Sequence, residues 1–122
     1  MHPVVPNFRD LIVWQKAMAA ALEVYKLTRQ FPKEEVYVLT AQVRRAAISI
    51  PSNIAEGHAR QGREFANFLS IARGSAAEVE TQLLLAVQRE YINTESIEVA
   101  LGLLTEVRRM SAAIVNKINA GS

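Results

Sequence analysis

The chain has no cysteine, so neither disulfides nor thiolate-bound metals can build it. That suits a reducing compartment, and a cytoplasmic protein is expected. Proline and glycine are scarce, four and five in 122 residues, which leaves long stretches able to be helical. No apolar run approaches the ~20 residues that span a bilayer. The first residues, MHPVVPNFRD, lack the basic and apolar regions of a secretory signal. Charge of one sign is lacking too. Fourteen Lys and Arg face twelve Asp and Glu, so a net charge of +2 allows attraction to phosphates without demanding it. No GxSxG, Walker loop or pair of catalytic carboxylates stands out. His2 and His58 are the only imidazoles, and neither has a partner at metal-ligand spacing. Ser49 and Ser52 flank Pro51 with no neighbouring histidine to activate them. These absences argue against an enzyme, a metal site, a cofactor and a membrane protein.

What is present is helical periodicity. At 50% hydrophobic and 21% charged residues, the chain reads as one globular domain over 1–122, with its core in about 8–118. The first helix is expected from about Asp10 to Gln30, with Leu11, Trp14, Met18, Leu22 and Tyr25 inward. The second starts near Lys33–Glu35 and carries Val36, Leu39, Val43, Ala47, Ile50 and Ile54 on one face. It should stop near Glu56–Gly57, where glycine can supply a C-cap, and should kink or briefly break at Pro51. The third spans about Arg63 to Glu90, with Phe65, Leu69, Ala72, Ala76, Val79 and Leu83 inward. Thr94 is the expected N-cap of the fourth, lined by Ile97, Leu101, Leu104, Val107, Ile114 and Ile118. Connections of about three to six residues make neighbours antiparallel. The predicted fold is all-α, an up-down-up-down four-helix bundle.

The third helix carries a second stripe opposite its core face: Ser70, Gly74, Ala77, Thr81, Leu84 and Gln88, with Leu85 beside it. A helix facing water there would be rich in Lys and Glu. Helix two has a similar back face in Ala41, Arg45, Ile48, Ser52 and Ala55. Such a surface is either that of a slightly hydrophobic monomer or a self-association seam, and the second reading is preferred.

Most charges read as solvated surface or as complements of the helix dipoles. Arg44 and Arg45 come roughly level with Glu78 when helices two and three fold back on each other. One of them is expected to form an interhelical or intersubunit ion pair, with phosphate contact as the competing role. Arg60 and Arg63 flank the loop between those helices, beside Gly57 and Gly62. They form the best phosphate-facing patch, or else keep the loop soluble.

FRDLIVWQKAM, QVRRAAISIPSNIAEG and EFANFLSIARGSAAEVETQLLLA together resemble the bacterial 23S ribosomal RNA intervening-sequence proteins, from about Phe8 to Ile118. The resemblance implies a four-helix bundle assembling into a ring, typically a homopentamer. It implies no catalytic residues. Arg44, Arg45, Ser49, Pro51, Asn53, Glu56, Gly57 and Glu78 match the family signature and are read mainly as architecture. The family is similar in fold to the accessory variability protein of diversity-generating retroelements, which binds nucleic acid and a reverse transcriptase. The expected function is therefore a non-enzymatic homo-oligomer that binds RNA or a ribonucleoprotein weakly through Arg44, Arg45, Arg60 and Arg63. The alternative is a protein-interaction scaffold for a nucleic-acid-processing partner.

Overall fold

The computed structural model describes residues 6–121, and His2 lies outside them. Helix α1 (Ile12–Thr28) turns Val13, Ala17, Ala20, Ala21, Val24 and Leu27 to the core. This corrects the expected face. Leu22 is 62% exposed and Met18 38%, while Ala17 and Val24 are fully buried. Helix α1 has two apolar stripes, and the one made of alanine and valine lets it approach its neighbours closely. Of the stripe of larger side chains, Met18 and Leu22 point outward, Tyr25 is half-buried, and Leu11 and Trp14 stay partly buried against the core.

Helices α2 (Leu39–Arg60) and α3 (Gly62–Gln88) are separated by Gln61 alone, far shorter than the expected connection. Helix α2 does not stop at Gly57. Gly57 is buried inside it, because Phe65 and Phe68 of α3 lie directly over it: a Cβ there would sit 2.6 Å from Phe68 Cβ. The reversal falls instead at Gln61, with φ 62° and ψ 173°, whose N–H donates to the Gly57 carbonyl at 2.9 Å. Helix α2 also runs unbroken through Pro51. Proline has no N–H to give the preceding turn. Two side chains bond carbonyls of the same stretch: Ser49 Oγ donates to the Ala46 carbonyl at 2.7 Å, and Asn53 Nδ2 donates to the Ser49 carbonyl at 2.7 Å.

Helix α3 ends in a Schellman turn, with Glu90 left-handed (φ 64°). The Tyr91 and Glu90 N–H groups bond the Ala86 and Val87 carbonyls. Thr94 makes no cap bond. Asn93 does, its Oδ1 accepting from the Ser96 N–H at 2.9 Å and the Ser96 hydroxyl at 2.6 Å. A 3-10 turn (Glu95–Ile97) then leads into α4 (Glu98–Ala120). Helix α1 packs on α2 and α4, and α3 packs on the same two. The shared core holds Val43, Ile50, Ile54, Leu69, Val79, Leu83 and Leu104. Lys16 pairs with Glu106 at 2.8 Å between α1 and α4, and Arg108 pairs with Glu80 between α3 and α4. Among the described residues there is no strand.

One end of the bundle is closed by Glu35. Its carboxylate accepts the Tyr91 hydroxyl at 2.6 Å and the Leu39 N–H at 3.3 Å, joining the entry of α2 to the α3–α4 connection. The Tyr91 bond holds the Glu35 carboxyl below its ordinary value, aided by the Leu39 N–H and by Arg89. A depressed carboxylate stabilises the fold above its unfolded pKa, and that contribution is lost as pH falls through the folded value. Tyr91→Phe should therefore lower Tm at pH 7. The difference from wild type should shrink below about pH 4. Thermal melts at both pH values check it, and a difference independent of pH would mean the hydroxyl acts some other way.

Candidate interaction surfaces

The outward stripe of α1 meets α2 in a groove of about 420 Å³ lined by Phe8, Trp14, Met18, Leu22, Tyr25, Ile48, Pro51 and Ala55. Its walls are almost entirely apolar. Phe8 stacks edge-on against Trp14 at 5.2 Å and fixes one end. Ile48 and Ala55, expected on the back face of α2, lean toward this groove. Periodicity pointed to the α1 residues that line it, but Met18 and Leu22 are exposed in the groove, while Trp14 also reaches the core.

Arg44 lies against Tyr25, one of the groove residues. Its guanidinium lies over the Tyr25 ring at 4.6 Å, and its Nε donates to Thr28 Oγ1 at 2.8 Å. Thr28 is buried, and its hydroxyl in turn bonds the Val24 carbonyl at 2.8 Å. The anticipated ion pair of Arg44 or Arg45 with Glu78 does not form within the chain. The reason is local: Arg44 is drawn to α1. Arg45 is exposed and shares a shallow cleft with Gln42, Ser49 and Glu78, while Glu78 accepts from Gln82 Nε2 at 3.3 Å.

Arg60 and Arg63 lie at the opposite end of α2, about 24 Å along the helix axis from Arg44. The four candidate arginines therefore do not form one site: Arg44 faces α1, Arg45 faces the cleft beside Glu78, and Arg60 and Arg63 lie at the far end. Arg60 is bracketed by Glu56 at 3.3 Å and Glu64 at 3.4 Å, and it lies over the Phe68 ring. These bonds, the one to Glu56 foremost, raise its pKa and spend its charge within the chain. Arg63 is exposed, and none of the ion pairs among the described residues involves it.

The stripe on α3 is uncovered along its length: Ser70, Gly74, Ala77, Thr81, Leu84 and Leu85 are all exposed. A Cβ at Gly74 would meet nothing within 4 Å. Ile71 beside it and Val99 on α4 add to the exposed apolar area. His58 packs edge-on against Phe65 at 5.9 Å. Among the described residues no group of three or more His, Asp or Glu could hold a metal ion, and no helix is long and apolar enough to cross a membrane.

Compared with known families, residues 9–113 match the 23S rRNA-intervening sequence proteins. The chain belongs to this family. It is also similar to the crystal structure of a protein of unknown function from the S23 ribosomal protein family of Bacteroides thetaiotaomicron. The two are 30% identical with a TM-score of 0.77, over 85% of this chain and 98% of that one. No curated protein matches the chain. The stretches that carried the family resemblance have architectural work in this fold. Ser49 and Asn53 bind the backbone around Pro51, Gly57 admits the phenylalanines of α3, and Glu56 holds Arg60.

Proposed function

We propose that this family member is a non-enzymatic building block that assembles with copies of itself and binds RNA or a ribonucleoprotein weakly, without reading sequence. In this reading the bundle runs up-down-up-down, with α2 bent near Pro51. The copies close into a ring, a pentamer by the family resemblance, in the cytoplasm. The observation that supports it is the uncovered surface, an apolar groove on the α1–α2 side and a separate stripe of small and apolar residues on α3. Two different apolar faces on one chain suit head-to-tail contacts, which close into rings when the rotation allows. Repetition would then multiply one weak basic patch into useful avidity.

A second reading is favoured by the pairing of Arg60 with Glu56 and Glu64, which leaves little free positive charge at that end. There the assembly serves as a scaffold for a nucleic-acid-processing protein and does not touch RNA itself. Titrating a fluorescent single-stranded RNA against salt separates the two. Each phosphate neutralised contributes about −0.7 to the slope of log affinity against log salt. A ring of basic patches should give a slope of several units. Arg63→Ala should flatten it more than Arg60→Ala, and because both sites are exposed each should leave Tm nearly unchanged. No binding by the intact assembly at about 50 mM salt would put the scaffold reading in front.

A further inference from the structure

Gln61 alone links α2 to α3, and its backbone sits at φ 62° and ψ 173°. That region is comfortable for glycine and strained for any other residue. Gly62 beside it is left-handed as well, at φ 57°. Two backbone bonds close the turn, Gln61 N–H to the Gly57 carbonyl at 2.9 Å and Phe65 N–H to the Gln61 carbonyl at 3.2 Å, but no side chain caps it. Both residues are exposed, a Cβ at Gly62 would meet nothing within 4 Å, and the Gln61 side chain makes no cap bond. What holds it closed besides these bonds is the packing of α2 on α3, the most extensive helix pair in the bundle. Gly57 lies beneath Phe65 and Phe68, and Ser49 Oγ is hydrogen-bonded to Ser75 Oγ at 2.7 Å.

None of that packing requires the two helices to belong to one chain. We propose that two copies exchange halves at this hinge. Gln61 and Gly62 straighten into helix, so α2 and α3 of one chain become a single helix about 75 Å long. The α3–α4 half of each copy then packs on the α1–α2 half of the other. The partner is a second copy of this chain, and the surface it fits is the α2–α3 interface already formed within the subunit. Every buried contact survives, including Ser49 with Ser75, which now joins two chains. The exchange removes two strained links and gains helical turns, against the cost of bringing two chains together. It is therefore favoured by high concentration. It does not depend on assembly through the outer faces, which leaves the hinge closed.

The absence of cysteine makes the test direct. Ser49→Cys and Ser75→Cys are introduced together, and the protein is refolded at low and high concentration and oxidised. A closed subunit gives a bond within one chain, whereas an exchanged pair gives bonds between chains, seen as doubled mass on a denaturing gel without reductant. A short bis-maleimide reads the same pair if the thiols resist oxidation. Gly62→Ala disfavours the left-handed turn and improves the straight helix, so it should raise the interchain fraction. Gln61→Gly does the reverse and should lower it, each by about tenfold. Interchain product that grows with concentration and follows this order supports exchange. Bonds within single chains only, in all three backgrounds at the highest concentration, overturn it. A large native mass combined with intrachain bonds only is the signature of assembly through the outer faces alone, so the two readings fail separately.

Discussion

Gly57→Ala should destabilise the subunit although alanine is the better helix former. The new methyl would stand 2.6 Å from Phe68 Cβ, 3.0 Å from Phe65 Cδ1 and 3.3 Å from Phe65 Cα. Two of those three atoms are backbone or bonded directly to it, so neither moves without shifting the first turns of α3. Overpacking of this kind costs about 1–3 kcal/mol, and the gain in helix propensity, about 1 kcal/mol, offsets only part of it. The crowding falls next to a hinge one residue long, where α3 cannot slide away. The expected result sits at the upper end, a net loss of about 2 kcal/mol and a Tm lower by roughly 8 °C. Thermal and urea melts measure it. An unchanged or raised Tm would show that α2 and α3 do not approach so closely here.

Gly74→Leu should behave in the opposite way. Gly74 lies inside α3, exposed, with open space where a side chain would go. Within one subunit leucine meets nothing and improves helix propensity by roughly 0.8 kcal/mol, so a lone chain should melt higher. A loss of assembled mass in this variant must then come from crowding against another copy. Gly102 on α4 is the control, being equally exposed and open but off the α3 stripe. Gly102→Ala should raise Tm and leave the mass alone. If Gly74→Leu melts higher and keeps the wild-type mass, the α3 stripe faces water and the seam lies elsewhere.

The four helices were legible because apolar residues recur at helical spacing over long stretches that hold little proline or glycine. The inward faces of α3 and most of α2 follow from the same pattern. Helix α1 misled because both of its stripes are apolar, and periodicity finds a stripe without telling which side the neighbours occupy. The small residues Ala17, Ala20 and Ala21 were the signal for the core side, since close packing needs them. Gly57 invited reading as a stop, yet its role depends on Phe65 and Phe68, which only the fold brings over it. The true reversal sits on a glutamine, a residue that gives no hint of a left-handed backbone, with Gly62 as the one clue beside it. Arg44 or Arg45 was expected to pair with Glu78, but Thr28 and Tyr25 of α1 hold Arg44, sixteen positions away in the case of Thr28. The Glu35–Tyr91 bond spans 56 positions and has no local signature at all.

The most direct test of the account is the mass of the wild-type protein in solution, measured by light scattering behind a sizing column at micromolar concentration. The uncovered groove and the α3 stripe predict an assembly several times heavier than the 13.5 kDa chain. A single peak at 13.5 kDa across that range would contradict it.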